Sequence, residues 1–464
     1  MTINHLHDEV LLEIFDSYRQ GIDPNDNQWR EKYLWLNLTH VCRNWRAVML
    51  ASSSRLDLGI SVGPKKPGGI KKVLSSHWPI IFDYRLIYGE LTGSVLWRMR
   101  AALRHHHDRV RDITFEGSAD DFDEFFKVTK CTFPVLESLS LRIKYCGNVV
   151  PDTFLGGPDL SYLHLRRLTL HDFSFASIFR LLSSGTFLTD LCLSTRMDTA
   201  VSSSAAASLL ACLQGMPCLR KLHLFILRDI PDSRSQPSTP EDIVPLSKLK
   251  IFRYNGPSLL LNALVAGLSA PSLRDVWFNF CDDLCPPFVH LPRFIDNIEE
   301  HHHAVEADFL QWGFRLLLLT QSEYIMRRKP CFELFIDLRY QRVSIMQMNG
   351  ALSTRLATIE ELRLTIASVV WVDDILWRRF YQQFPSVKAL RTEGANNAYW
   401  IARTLHQGHG EPGDLSFLPA LEEIDLGRGS LTDESERESQ LACFEPFVSA
   451  RQQAGRPVRV FFSP

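Results

Sequence analysis

The sequence predicts an α/β chain: a short helical module at the N-terminus, then a solenoid of strand–helix units. The units are expected to form a horseshoe of parallel strands with outer helices. Three observations predict this. The first fifty residues hold two apolar seams at helical period, one short phrase recurs along the rest of the chain, and most copies lie 23–31 residues apart. The 464 residues carry 51 Lys and Arg against 53 Asp and Glu, a formal net charge of −2, which argues against a whole-chain nucleic-acid binder. Hydrophobic residues at 45% and charged residues at 22% are ordinary globular usage and argue against wholesale disorder.

In the first seam Leu6, Val10 and Ile14 recur every fourth residue, with Leu11, Phe15 and Tyr18 on the adjacent stripe. Asp8 and Glu9 fall in the first turn, where carboxylates suit the positive end of the helix dipole. A polar loop, Gly21 to Gln28, follows. Then Leu34, Leu38, Val41, Trp45 and Val48, at spacings of 4, 3, 4 and 3, predict a second continuous helix. Two short helices cannot bury such wide stripes on each other alone. They either pack on the rest of the chain or keep a face for a partner helix.

The residues Leu6-His7-Asp8-Glu9-Val10-Leu11-Leu12-Glu13-Ile14-Phe15 and Val41-Cys42-Arg43-Asn44-Trp45 resemble an F-box. His7 stands where that family usually has proline, and the loop between the helices is longer than usual. The resemblance implies a docking module of residues 1–55 that packs on the Skp adaptor of cullin–RING ubiquitin ligases. The docking positions it implies are Leu6, Val10, Leu11, Ile14, Phe15, Leu38, Val41 and Trp45. Some of the eight must instead hold the two helices together.

Residues 56–464 repeat a phrase: Pro134-Val135-Leu136-Glu137-Ser138-Leu139, Pro217-Cys218-Leu219-Arg220-Lys221-Leu222, and Pro271-Ser272-Leu273-Arg274-Asp275-Val276. Copies also begin at Pro385 and Pro419, and variants without the proline at Leu165, Leu188 and Ile359. Each gives an apolar anchor, two polar residues, then the apolar–polar alternation of a half-buried strand. The first apolar strand residues are Leu139, Leu168, Leu191, Leu222, Phe252 and Val276, then Leu362, Leu390 and Ile424. Leu58, Phe82 and Ile113 extend the series upstream, Val305 and Phe335 fill the gap before Leu362, and a last strand is expected near Val458–Phe462. Helical segments between strands are expected at Trp97–His105, Ser203–Leu213, Leu259–Leu268 and Asp374–Phe384. Strand plus helix at this period is the leucine-rich-repeat signature, and the phrase resembles the irregular repeats of F-box proteins, without their regular asparagine after the strand. A conventional α/β sheet is the alternative.

Alternation turns the intervening residues toward the concave side. They include Ser138, Ser140, Arg142, Arg167, Thr169, His171, Lys221, His223, Phe225, Arg253, Asp275, Trp277, Arg363 and Asp425. Arg142, His171, His223, Phe225, Arg253, Trp277 and Arg363 are the candidate target-binding residues, since aromatic residues and Arg dominate interface hot spots.

Other motifs carry less. Gly63–Lys72 is basic and glycine-rich but lacks the Gly-Lys-Ser/Thr ending of a phosphate loop. The triplets His105–His107 and His301–His303 point their side chains in different directions, and Cys281, Cys285 and His290 are split by Pro286-Pro287, so no metal is expected. Pro231–Asp242 has the composition of a flexible insertion. Catalytic motifs are lacking, so neither enzymatic chemistry nor a cofactor is expected. The ten cysteines form no Cys-x-x-Cys pair, and no secretory or membrane segment stands out. These features predict reduced core thiols in an intracellular protein, cytoplasmic or nuclear, with no nucleic-acid or membrane partner. The function expected is substrate recognition for a Skp–cullin–F-box ubiquitin ligase, binding a protein target of unknown identity. A non-degradative interaction scaffold is the alternative.

Overall fold

The computed structural model describes residues 6–20, 38, 40–52, 60–62, 80–85, 105–118, 121–122, 133–143, 164–173, 178–179, 182, 187–197, 205–228, 243–280, 290–298, 304–310, 313–319, 332–337, 352–366, 374–392, 395–407, 417–427 and 434–462. They divide into two compact units, Met1–His171 and Asp172–Pro464. Leu34, Leu58, Gly63–Lys72, the segment Trp97–Arg104, Pro231–Asp242, Cys281, Cys285 and His301–His303 lie outside the described residues.

The first unit opens with α1 (Asp8–Gln20), its acidic first turn as expected. The second seam is not one continuous helix. Leu38 is helical, His40 and Val41 form a turn, and α2 (Arg43–Ala51) starts afresh. The cause is a cap. Cys42 is extended, at φ −156° and ψ 173°, and its Sγ accepts the backbone N–H of Trp45 at 3.4 Å. That bond satisfies one of the donors a helix start leaves open.

Strands β1 (Ile60–Val62), β2 (Ile80–Arg85), β3 (Val110–Gly117), β4 (Ser138–Ile143) and β5 (Arg167–His171) then pair in chain order, all parallel.

The second unit begins with β6 (Asp190–Met197), α3 (Ala205–Gln214), β7 (Lys221–Arg228) and β8 (Val244–Pro245). It continues through β9 (Ile251–Gly256), α4 (Ser258–Ala266), β10 (Leu268–Ser269), β11 (Asp275–Phe280) and α5 (Leu291–Asp296). Next come β12 (Ala304–Leu310), β13 (Gly313–Leu319), β14 (Phe332–Asp337) and β15 (Glu361–Ile366). It ends with α6 (Asp374–Tyr381), β16 (Ala389–Thr392), α7 (Ala395–Gln407), β17 (Glu423–Asp425), α8 (Glu434–Gln453) and β18 (Arg459–Phe461).

The recurring phrase has a local cause. Its proline occupies the second position of a tight turn closed from the anchor's N–H to a carbonyl three residues back. The turn recurs as Leu136 to Phe133 at 3.2 Å, Leu219 to Met216 at 3.1 Å, Leu273 to Ala270 at 3.2 Å, Val387 to Phe384 at 3.4 Å and Leu421 to Leu418 at 3.0 Å. Proline presets the φ that position needs. The anchor itself is buried each time. The two polar residues then stitch one copy to the next. The Arg220 carbonyl accepts from both Lys250 and Ile251 at 2.8 and 3.1 Å, Lys250 from Arg274 and Asp275 at 2.9 Å each, and Lys388 from Glu422 and Glu423 at 2.8 and 3.0 Å. One carbonyl thus satisfies the two amides at the start of the following strand, so the phrase propagates its own register.

That register confirms the phase read from the sequence from Phe82 onward, whereas in β1 the residue in phase is Val62 and not Leu58. Phe82, Ile113, Leu139 and Leu168 are Cα partners across β2–β5. Leu191, Leu222, Phe252 and Val276 align across β6, β7, β9 and β11, and Leu362, Leu390, Ile424 and Val460 across β15–β18. All but the last are buried. On this covered face Phe252 meets Phe278 and the α5 Phe294 at ring distances of 5.5 and 6.1 Å.

The array is interrupted where the gap in the phrase falls. Val305 does lie in a strand and pairs with Leu362, but β11 pairs with β14, not with β12. Strand order runs β11-β14-β13-β12-β15, with β13 antiparallel to both neighbours. The residue in phase with Val276 is Phe332, and Phe335 instead faces Asn279. Only two residues, 311 and 312, separate β12 from β13, which is hairpin spacing and cannot accommodate a parallel crossover. The expectation that ordinary units headed by Val305 and Phe335 fill this stretch is therefore corrected to an antiparallel insert among strands of this unit that, in the described residues, otherwise pair in parallel.

Candidate functional site

Two surfaces carry the candidate residues. On the helix pair the eight docking positions separate cleanly. Leu11, Phe15, Leu38 and Trp45 are buried and, with Leu12, Val48 and Met49, form the core of the pair. Phe15 meets Trp45 edge-on at 5.1 Å. Leu6 packs partly against this cluster. Val10, Ile14 and Val41 point the other way, 43%, 39% and 50% exposed, with Tyr18 beside them at 41%. The i, i+4 spacing puts Val10 and Ile14 on one face of α1 together with Tyr18.

The second surface is the open face of β7, β9 and β11, whose residues alternate with the buried phase. Register aligns Cys192, His223, Arg253 and Trp277 in one row, and Ser194, Phe225, Asn255 and Asn279 in the next. The rings of Phe225 and Trp277 reach over β9 to within 6.4 Å of each other, tilted by 47°. The His223 ring stands perpendicular to Phe225 at 6.4 Å. Arg253 is held by Asp275 at 3.0 Å, Lys221 by Asp190 at 3.1 Å, and the Asn279 amide donates to Asn255 Oδ1 at 3.2 Å. Burial first, then the neighbouring Arg253 cation, lowers the His223 pKa, so the ring is neutral at pH 7. Cys192 lies beside His223 in register, but burial pushes its thiol up to about 11, which leaves it protonated and unsuited to nucleophilic work.

The seven candidate target-binding residues are divided between the two units. His223, Phe225, Arg253 and Trp277 are together. Arg142 and His171 are Cα partners in the first unit, on a face otherwise made of hydroxyl residues and ion pairs such as Arg167–Asp112 at 3.0 Å. Arg363 lies on β15, held 3.2 Å from Glu361. Asp425, expected to be solvated, is only 4% exposed, because Arg391 lies 3.5 Å away and the Gly427 N–H donates to its carboxylate at 2.9 Å. Asn255 and Asn279 were not singled out, although each lies one alternation beyond a residue that was.

Among the described residues no three His, Cys, Asp or Glu side chains gather closely enough to hold a metal ion. The described thiols Cys42, Cys192, Cys212, Cys218 and Cys443 are free and half-buried, not core residues. No described helix is long and apolar enough to cross a membrane.

Neither a protein-family model nor a curated protein matches the chain. Among solved structures it is similar to the leucine-rich repeat-containing protein LegL7 of Legionella pneumophila, at 9% identity and a TM-score of 0.26, covering 83% of this chain and 97% of that one. It is also similar to a protein from Bacteroides fragilis, at 11% identity and a TM-score of 0.23, covering 80% and 84% respectively. Likeness this loose is no basis for a function.

Proposed function

We propose that the chain is a non-catalytic substrate-recognition subunit of a Skp–cullin–F-box ubiquitin ligase. The α1–α2 pair docks the adaptor, and the repeated sheet holds a protein target. The observation that carries this reading is the exposure of Val10, Ile14 and Val41 beside a helix pair that already has a core of its own. Exposed aliphatic residues at helical spacing are what a partner helix covers, and burying the exposed half of each contributes about 1 kcal/mol. The subunit then acts by proximity: holding a target near a charged partner enzyme makes ubiquitin transfer effectively intramolecular.

The test is capture of the purified Skp adaptor by the full chain. Val10→Asp with Val41→Asp should abolish capture without lowering the melting temperature, since both side chains are exposed. Trp45→Asp is the wrong probe, because it would unfold the pair. Unchanged capture by the double variant refutes the docking surface. No capture by the parent chain favours the non-degradative scaffold, consistent with His7 at the position where the family has proline.

A further inference from the structure

Resting on the reading of the repeated sheet as a target-binding surface, we infer that the open face of β7, β9 and β11 takes an uncharged, extended peptide segment that lays a large apolar side chain on Phe225 and Trp277. The two rings, half-buried and 6.4 Å apart, form a continuous apolar platform across β9. Aromatic residues of this kind supply contact area with little side-chain entropy to lose.

Charge decides the class of partner. Each described cation on the platform already has a carboxylate, Arg253 with Asp275 and Lys221 with Asp190. His223 adds no charge, being held neutral. A phosphate or an acidic peptide would therefore have to break an existing pair to be bound, whereas an uncharged segment leaves both intact. Hydrogen bonding points the same way. His223 Nε2, Arg253 Nε and Asn279 Oδ1 are buried without a hydrogen-bond partner. Donor and acceptor functions are both left open, and a peptide group offers one of each. These atoms lie beneath the surface, so a ligand meets them only by displacing the side chains above. An apolar group wedged against the two rings does that.

The experiment uses the full chain, immobilised, to select from a phage-displayed library of random 12-residue peptides, with a phosphoserine-peptide pool and inorganic phosphate as competitors. Selected peptides should be enriched in Leu, Phe, Trp or Met flanked by uncharged residues, and neither competitor should displace them. Trp277→Ala should weaken the best peptide about thirtyfold by fluorescence anisotropy, and Trp277→Phe should restore most of that affinity. Enrichment of acidic peptides, displacement by the phosphopeptides, or full affinity in Trp277→Ala overturns the inference, as does a failed selection. Adaptor capture by the parent chain is scored separately. If capture succeeds and selection fails, only this inference falls; if selection succeeds and capture fails, only the ligase reading falls.

Discussion

The open faces of β7–β9–β11 and of β15–β16–β17 are built on one phrase in one register, yet carry different chemistry. The first presents two aromatic rings, a neutral histidine and a pair of amides, with two isolated ion pairs, Arg253–Asp275 and Lys221–Asp190. The second presents an ion network: Glu361, 7% exposed at its side chain, is contacted by Arg391 at 2.8 Å and Arg363 at 3.2 Å, and Arg391 reaches on to Asp425. Their covered faces are nearly interchangeable, Leu222 and Phe252 in one, Leu362 and Leu390 in the other. The difference teaches that the buried phase and the turn–anchor geometry specify the fold, leaving the alternate positions free to specialise.

The strongest way to break the comparison is to cut the shared part. Leu222→Ala and Leu390→Ala each remove a side chain no more than 1% exposed, and each should cost about 2–5 kcal/mol. Chemical denaturation should find the two losses alike. A tolerated loss in one region alone would mean that the repeats do not share one packing logic.

Gly256 comes next, because it ends β9 and touches only the first region. A Cβ there would meet the Ile226 carbonyl oxygen at 2.9 Å and the Tyr254 hydroxyl at 3.0 Å. That hydroxyl is itself committed, donating to the Pro257 carbonyl at 2.6 Å. Gly256→Ala should therefore cost about 1–3 kcal/mol through overpacking, again read by denaturation. A smaller effect belongs to the second region. Glu361→Ala strips both arginines of their shared carboxylate, but Arg391 keeps Asp425 and Arg363 is partly solvated. The expected cost is about 1 kcal/mol, diminishing in high salt. A salt-independent loss would show that Glu361 acts by packing instead.

Particular residues show how much of this was legible. Ile113, Leu139 and Leu168 could be phased from sequence because a half-buried strand repeats every second residue, and the Phe133–Leu136 turn fixes where the strand of Leu139 begins. Phe335 was misplaced by three positions because β12–β14 escape that rule. Their pairing is antiparallel, set by a short hairpin rather than by the proline turn, and apolar residues on both sides of the hairpin mask the phase. The break at Cys42 was invisible for a different reason: Leu38, Val41 and Trp45 keep helical spacing straight through it, and a thiol cap leaves no compositional mark. Of the candidate site, Phe225 and Trp277 stood out as aromatics at solvent-facing positions. Asn255 and Asn279 did not, since two asparagines 24 residues apart become a pair only through register.

The finest contrast between the two faces is their response to pH. His223 has a pKa below its ordinary 6.5, chiefly through burial and next through Arg253, so the folded chain disfavours its protonated form. The unfolded chain takes up the proton first as pH falls. Below about 6.5 it binds more protons than the folded state, and stability drops with pH until the folded-state pKa is passed. His106 in the other unit is lowered as well, so the quantity to measure is the difference between the parent and His223→Gln. That variant should flatten part of the decline between pH 6.5 and 5, and an identical slope would show that the ring is already solvated. The same titration should weaken an uncharged peptide on the β7–β9–β11 face, because a protonated His223 adds a third cation to Arg253 and Lys221 while the two facing carboxylates, Asp275 and Asp190, are already engaged by those two.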